Sequence, residues 1–439
     1  MSAKPLGLVF FPAFDWAISP SHPEREERLL YTRDQIVEEG LLDMPGIREY
    51  KPSMADYKDI ERVHIGVPNL RSLITDAHLV SAGGAITAAE SVIRGETARA
   101  FALVRPPGHH AMRVVHGTRG FCTVNMEAAM IEHLRQQYGI KKVAIVDTDV
   151  HHGDGSQDIF YNDPDTLFIS FHQDGRTLYP GTGFTDELGT PNALCSTVNL
   201  PLPPGTGDEG LHYILDQLIL PMLDDFKPEL VINSAGQDNH YTDPLANMAI
   251  TAQGYARLAD KLKADIAVLE GGYSIEDALP YVNVGIILAM AGLDYSKVSE
   301  PDITRCPRQS VATTAYIKRL VQERQEMWRN REQLRRQAIA RAGDFWQRKR
   351  GIYYDDSGIS EQQLESVRIC PHCHGYVTLA TESGDYGINA KSAFAAIIPR
   401  NACSHCRQEA RDRVLRAKKQ GRFDYYFIQD KPADHLEEL

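Results

Sequence analysis

Positions 147–154 hold five Asp and His residues in eight, directly after an apolar run. In an extended chain, residues two positions apart project to the same side, so Asp147, Asp149 and His151 should point together. Carboxylates and an imidazole on one side of the chain are suitable ligands for a divalent metal. A further ligand must come from a second strand, and the best candidate is Asp238, which follows another apolar run. Ligation by Asp149, His151 and Asp238 leaves one position open, which is typical of catalytic zinc. A single Asp or His is more often a hydrogen-bonded loop residue, but their density here favours a metal site.

Two adjacent imidazoles and a phenol could supply the proton transfers that a metal-dependent hydrolase needs. His109 and His110 follow the turn-forming sequence Pro-Pro-Gly, so both rings could address one site. Asp147 and Asp154 are available to orient these rings and to raise their basicity. Tyr273 follows two glycines and could donate a hydrogen bond to a developing oxyanion, or it could be a packed aromatic residue in an ordinary turn.

Five apolar runs rich in β-branched residues each lead into a polar cluster, and they predict the strands that position these groups. The runs lie at 101–104, 143–146, 167–170, 230–233 and 266–269. Near-continuous apolar runs are typical of parallel strands buried on both faces, and open α/β sheets bind ligands at the carboxyl ends of their strands. The runs alternate with helical periodicity, as at 127–138, 211–226 and 252–263. This order predicts an α/β fold with an open, mostly parallel sheet and helices on both faces.

The charge of the chain changes near residue 300 and predicts more than one unit. Of the 439 residues, 1–300 hold 23 Lys and Arg against 41 Asp and Glu, whereas 301–439 hold 24 against 18. We predict a catalytic domain at 1–300, a basic helical connector at 301–365 and a C-terminal unit at 366–439. The connector contains a helix-forming, Arg- and Gln-rich segment from about 312 to 350. It could be a long solvated helix that packs on the main domain, or a surface for nucleic acid or another partner.

Four of the seven cysteines form two Cys-x-x-Cys pairs near the C-terminus, Cys370 with Cys373 and Cys403 with Cys406. Two such pairs can supply four thiolates to a tetrahedral ion, so they predict a small zinc-ribbon unit with a structural zinc, although a redox dithiol is an alternative. Seven cysteines are too few for a disulfide scaffold of this length, which favours a reducing cytoplasm. No apolar stretch reaches the ~18 residues that a membrane helix needs, so no membrane partner is expected.

Several ordered motifs within about residues 5–295 resemble the zinc-dependent histone deacetylase superfamily, especially its class II and bacterial deacetylase-like amidohydrolase members. The motifs are 105–111, 120–122 with Asn125, 147–155, 179–183, 234–244 and 270–273, together with His22-Pro23-Glu24-Arg25. The resemblance implies the arginase-deacetylase fold with a central parallel sheet. The C-terminal zinc ribbon lies outside the common catalytic domain, so the resemblance implies nothing about its role.

Carried over by position, the resemblance implies a role for each matched residue. His110 would be the general base and acid, His109 an electrostatic partner, and Tyr273 the group that polarises the amide carbonyl. Asp147 would pair with His109, and Asp154 with His110. The resemblance implies a catalytic zinc ion on Asp149, His151 and Asp238. It implies a potassium ion on Asp147, Asp149, His151, Ser170 and Phe171. It also implies that Gly120, Phe121 and Tyr179 form the walls of the substrate channel.

Four residues depart from the family's usual pattern around the channel. Gln237 replaces a usual Phe or Ala, and Tyr179 stands where many relatives have Phe, so the channel could be more polar. Arg119 places a charge near the tunnel. Leu245 occupies the channel position where polyamine-selective members can carry an acidic gatekeeper, which weakens a polyamine assignment.

Together these features predict zinc-dependent hydrolysis of an amide, with removal of an acyl group from Nε-acyl-lysine in proteins as the favoured reaction. The first alternative is hydrolysis of acetylpolyamine or another small amide, which the acidic catalytic part would also attract. The second is a regulatory protein that binds acyl-lysine and recruits partners or nucleic acid through its basic C-terminal part. We expect a homo-oligomer, and we favour oligomerisation or a lid over the channel mouth, ahead of nucleic-acid binding, as the role of the C-terminal unit.

Overall fold

The computed structural model describes residues 4–14, 16–19, 21–385 and 388–439. Its larger sheet has eight strands, all paired in parallel, in the order β2-β1-β4-β10-β9-β6-β7-β8. A short parallel pair, β3 and β5, lies beside it. The strands are β1 Leu6–Phe11, β2 Ile47–Tyr50, β3 Ile65–Gly66, β4 Arg99–Val104, β5 Val114–Val115, β6 Val143–Asp147, β7 Thr166–Gln173, β8 Thr197–Leu202, β9 Leu230–Ala235 and β10 Ile266–Leu269.

Helices cover both faces of the larger sheet, and alternate strand residues point into two separate cores. Leu103 and Val146 pack on one face with α1 and α6–α10, whereas Val104 and Ile145 pack on the other with α2–α5. The helices are α1 Glu27–Glu38, α2 Tyr57–Glu61, α3 Asp76–Ile93, α4 Met126–Tyr138, α5 Asp154–Phe160, α6 Asp208–Ile214, α7 Leu220–Phe226, α8 Ala252–Leu262, α9 Leu279–Met290, α10 Val311–Arg329 and α11 Arg331–Ala342. A π-helical turn, Leu215–Ile219, joins α6 to α7.

A second sheet of six strands follows, in the order β11-β12-β13-β14-β15-β16. Its pairs are antiparallel except β14 and β15, which are parallel and connected by a crossover helix. Its elements are β11 Phe345–Tyr354, β12 Ile359–Arg368, β13 Val377–Asp385, β14 Ile388–Ile398, α12 Ser404–Gln420, β15 Tyr425–Asp430 and β16 His435–Glu438. One face packs on Ile65 and Val114 of the first domain, and α12 covers the other face.

The predicted fold class is confirmed, since all five predicted strands lie in one parallel sheet with helices on both faces. The strand prediction ended three of the strands too early, since β6 also includes Asp147, and β9 also includes Ser234 and Ala235. Phe171 and His172 lie within β7 rather than after it, because the strand continues to Gln173 alongside β8.

The C-terminal part differs more from the prediction. The helical segment ends at Ala342 rather than near residue 350, and 345–368 form a hairpin of the second sheet, so this sheet begins inside the range predicted as a helical connector. The four cysteines belong to this six-stranded unit, which is larger than a small ribbon. Within the connector, α10 packs into the core of the first domain through Ile317 and Leu320.

Candidate active site

The three predicted zinc ligands converge at the carboxyl ends of β6 and β9. One potential ligand atom from each of Asp149, His151 and Asp238 lies within 4.8 Å of the other two. His151 Nδ1 lies 3.1 Å from both Asp149 Oδ1 and Asp238 Oδ2. Two ligand atoms of a tetrahedral zinc ion lie roughly 3.3 Å apart. The donor types and their spacing therefore fit a zinc ion with three protein ligands.

Buried negative charge at the same place also favours a cation. Asp149 and Asp238 are fully buried. Burial lowers the pKa of His151, but hydrogen bonds and charge from the two carboxylates outweigh burial and raise this pKa to about 10. The negative potential that would hold a proton on His151 is the same potential that binds a divalent ion.

His109 and His110 follow β4 and approach different carboxylates. His109 Nδ1 lies 3.3 Å from Asp147 Oδ2, and His110 Nδ1 lies 2.8 Å from Asp154 Oδ1. Burial lowers the pKa of both rings, but the charges of Asp149 and Asp147 outweigh burial at His109 and raise its pKa well above the usual value. At His110, burial and the positive charge of His109 lower the pKa to about 3. At neutral pH, His110 is therefore an unprotonated base beside a positively charged partner.

Tyr273 is held by groups that the sequence analysis did not select. Its backbone N–H donates to Asp243 Oδ2 at 2.7 Å. Arg28 donates to the carbonyl oxygens of Gly272 and Glu270 at 2.7 and 2.6 Å, and its guanidinium carbon lies 4.9 Å from the centre of the Tyr273 ring. These contacts fix the turn that presents the phenol.

Arg28 belongs to a fully buried ion cluster behind the site. Glu24 accepts hydrogen bonds from Arg28 at 2.9 Å and from Arg105 at 2.7 and 2.8 Å. Glu270 adds a buried carboxyl group, whose pKa is raised by burial and by the charge of Glu127, and it accepts a hydrogen bond from the Gly108 N–H at 2.7 Å. Glu24 and Arg105 were visible within matched motifs, but their pairing spans 81 residues of chain, and no local signal in the sequence could reveal it.

Three of the predicted channel residues lie beside the side chain of His110 or of Tyr273. The centre of the Tyr179 ring is 5.2 Å from that of His110, and the Phe121 ring centre is 5.6 Å from that of Tyr273. The backbone of Gly120 approaches the His110 ring so closely that a Cβ atom on Gly120 would lie 2.5 Å from that ring. The site is therefore walled by two aromatic rings.

The structure places the remaining unusual residues in different surroundings. Gln237 is buried, and its amide donates to Asn283 Oδ1 of α9, so a more polar channel at this position stays a prediction. Leu245 is half-buried in the loop after β9. Arg119 is buried and donates to Asp154 Oδ2 at 2.6 Å.

The residues predicted to hold potassium lie on β6 and β7 and in the loop after β6. Asp147 and Ser170 are partners in the register of β6 and β7. Asp147 Oδ1 accepts from the Asp149 N–H at 3.1 Å, and Ser170 Oγ lies 2.9 Å from His172 Nδ1. Potassium binding by this group, with Phe171, stays a prediction.

A second cluster of potential metal ligands lies in the C-terminal unit. The sulfur atoms of Cys370, Cys373, Cys403 and Cys406 lie within 4.8 Å of one another. The first pair lies between β12 and β13, and the second lies at the start of α12. Four converging thiolates are compatible with structural zinc in closed coordination.

The sequence profile of the histone deacetylase domain matches residues 68–290. A protein of Archaeoglobus fulgidus described as a probable deacetylase is 47% identical over 324 residues, covering 67% of this chain and 89% of the archaeal one. The chain belongs to the histone deacetylase family. As a family member, it is an amide hydrolase, and the family implies a catalytic metal, generally zinc.

Further comparisons show the breadth of this deacetylase family. The acetylpolyamine amidohydrolase of Burkholderia pseudomallei is 36% identical over 255 residues, covering 52% of this chain and 73% of that protein. Among solved structures, the HD domain of HDA15 matches with a TM-score of 0.65 and 26% identity, covering 77% of this chain and 99% of that domain. No helix in the described part of the chain is long and apolar enough to cross a membrane.

Proposed function

We propose that this histone deacetylase family member is a zinc-dependent hydrolase that removes the acyl group from Nε-acyl-lysine in proteins. The observation that carries the proposal is that three potential metal ligands converge beside an unprotonated histidine. The ring centre of this histidine, His110, lies 6.0 Å from that of the potential ligand His151. The flanking rings of Phe121 and Tyr179 suit an unbranched alkyl stem such as that of lysine.

The chain's own groups supply the proton transfers and the orientation of the substrate. A zinc ion held by the three ligands would act as a Lewis acid and would lower the pKa of a bound water. Because Asp154 engages His110 Nδ1, the free Nε2 accepts the proton of the attacking water and later passes it to the leaving amine. Burial raises the pKa of Tyr273, so the phenol stays protonated and donates a hydrogen bond to the oxyanion.

A second candidate substrate is an acetylpolyamine, because one relative carries that activity in its name. The excess of acidic residues in 1–300 would attract polyamines and basic protein tails alike. The comparison that separates them is kcat/KM for an acetyl-lysine peptide against kcat/KM for acetylspermidine. We expect the peptide to be preferred, and a clear preference for acetylspermidine would replace the proposed substrate.

We place the reaction in a reducing cytoplasm, which is supported by seven cysteines without a disulfide.

The proposed reaction is tested by measuring acetate release from an acetyl-lysine peptide. His110→Ala should abolish turnover, and Tyr273→Phe should lower it on the order of 100-fold because the oxyanion loses a donor. His435→Ala, at an exposed position of β16, is the matched control and should retain full activity. Full activity of His110→Ala would contradict the mechanism.

A further inference from the structure

The second sheet makes the C-terminal unit of the structure residues 345–439, and the turn between its strands β11 and β12 contacts the predicted channel residues of the catalytic domain. Asp355 Oδ1 accepts hydrogen bonds from the Tyr179 hydroxyl at 2.9 Å and from the Gly120 N–H at 3.1 Å. The next residue, Asp356, accepts from the Phe121 N–H through Oδ2 at 2.8 Å. Each predicted channel-wall residue in this region is therefore held by the turn.

The contact of Asp355 with Tyr179 leads directly to the catalytic groups. The centre of the Tyr179 ring lies 5.2 Å from that of His110 and 6.3 Å from that of His151. Burial and the charge of Asp154 raise the pKa of Tyr179, so its hydroxyl stays a hydrogen-bond donor to Asp355. Loss of this acceptor would free a ring that packs against the general base.

A second line of contacts runs from the same hairpin to His110. The backbone carbonyl of Tyr353 accepts a hydrogen bond from Arg119. Arg119 also donates to Asp154 Oδ2 at 2.6 and 3.1 Å, and the other oxygen of Asp154 lies 2.8 Å from His110 Nδ1. Burial opposes ionisation of Asp154, but the guanidinium outweighs it and lowers the pKa of this carboxyl group.

The hairpin is firmly docked beside the segment that carries these groups. The buried Tyr354 hydroxyl lies 2.8 Å from the Val114 carbonyl oxygen, and Ser357 Oγ accepts from the Thr118 N–H at 2.8 Å. A Cβ atom on Gly117 would lie 2.5 Å from Ser357 Oγ and 2.7 Å from Ser357 Cβ. Any side chain at position 117 would therefore push the turn away from the channel.

We propose that residues 353–357 of the C-terminal unit complete the active site. Asp355 positions the channel wall at Tyr179, and the Tyr353 carbonyl positions Arg119 against Asp154. This inference rests on the hydrolase function proposed above. Because one line of contacts reaches the wall and the other reaches the general base, the two should have separable effects on KM and kcat.

The wall contact is tested with two substitutions at one position. Asp355→Ala should raise KM for an acetyl-lysine peptide roughly tenfold, with a smaller change in kcat, because Tyr179 and Gly120 lose their acceptor. Asp355→Asn keeps an accepting oxygen and should recover most of the loss. Gln362→Ala, exposed on the same hairpin, is the control and should behave as the wild type.

The contact with the base is tested at Arg119. Arg119→Gln should lower kcat roughly tenfold with little change in KM, because Asp154 loses the donor that fixes it beside His110. If the Asp355 and Arg119 variants showed the same rise in KM and the same fall in kcat, separate positioning roles would be contradicted.

A substitution on the opposite side of the interface distinguishes positioning from general damage. Gly117→Ala should reproduce the KM increase of Asp355→Ala, and the double variant should be no worse than either single variant. Gly46→Ala, where an added Cβ atom meets nothing within 4 Å, is the matched control. Additive losses would show that the two substitutions act independently.

Binding of a linear alkyl hydroxamate separates failure of this inference from failure of the proposed function. Its head group chelates zinc and its stem fills the channel, so calorimetry should show roughly tenfold weaker binding to Asp355→Ala and Gly117→Ala. Wild-type affinity in both variants, with unchanged melting temperatures, would overturn the inference. A wild type that binds the probe but hydrolyses no acyl-lysine peptide would contradict the proposed function alone, and absence of probe binding would overturn both.

Discussion

At the residue scale, the geometry of the candidate metal site depends on the absence of a side chain at Gly271 as well as on its ligands. A Cβ atom on Gly271 would lie 2.2 Å from Asp238 Oδ2 and 2.6 Å from Asp149 Oδ2. The backbone N–H of Gly271 also donates to Asp149 Oδ2 at 2.7 Å. The turn before Tyr273 therefore supports the metal ligands as well as the phenol.

We expect Gly271→Ala to remove the catalytic zinc and to lower activity on the order of 100-fold, because the added methyl group displaces both carboxylates. Mass-spectrometric metal analysis should find about one zinc per chain instead of about two, the remaining ion being the structural one. Gly46→Ala serves again as the control, since its surroundings are open. Retention of both ions would show that the close approach does not matter.

At the element scale, the hairpin β11–β12 shows why the local sequence predicted a helix where a strand forms. Basic residues at 348–350 continue the composition of α11. In the structure, however, Arg348 pairs with Glu365 at 2.5 Å and Arg350 pairs with Asp158 of the catalytic domain. Glu365 lies on the neighbouring strand of the same hairpin, whereas Asp158 is 192 residues away in the chain. The part of the signal that turns Arg350 inward is therefore tertiary.

The second cysteine pair of the cluster lies at the start of helix α12. Ala410 and Val414 of this helix pack on Tyr376 and Ile428 of the second sheet. Closed coordination of one ion by both cysteine pairs would fasten the start of the helix to the β12–β13 connection.

We expect Cys373→Ser to remove about one zinc per chain and to lower the melting temperature by several degrees, because ion binding contributes to folding. Cys306→Ser, outside the cluster, is the control and should keep the full metal content. Metal analysis and calorimetry measure the two effects. An unchanged zinc content would favour the redox dithiol that the sequence left open.

At the scale of the whole molecule, the catalytic domain and the C-terminal unit share a buried interface. Ile65 and Val114 pack with Val367 and Leu379 in one apolar cluster. Beside this cluster, Asp158 is fully buried, and burial opposes its ionisation, but Arg350 and neighbouring arginines outweigh burial and lower its pKa to about 2. The ion pair therefore links the two domains.

Arg350→Gln should reduce the free energy of unfolding at pH 7 on the order of 2 kcal/mol, because it leaves a buried carboxylate with fewer partners. Since the pKa of Asp158 is lower in the folded state than in the unfolded chain, its stabilising effect is present above about pH 4 and is lost as the pH falls towards 2. Urea unfolding should thus show the difference from wild type shrinking below about pH 4. Lys349→Gln, on the exposed side of β11, is the control, and a pH-independent difference would contradict the assignment.

The sequence by itself determined the parallel sheet and the ligand set. Apolar runs that end in Asp and His define both a strand and its functional edge locally, so Asp149, His151 and the cysteine pairs could be predicted from type and spacing. Only the tertiary structure decided how these groups are supported. Arg28 reaches the turn at Gly272 across 244 residues, and Asp355 reaches Tyr179 across 176. The first contact depends on packing within the catalytic domain and the second on how the two domains pack, and no periodicity or motif in the chain encodes either locally.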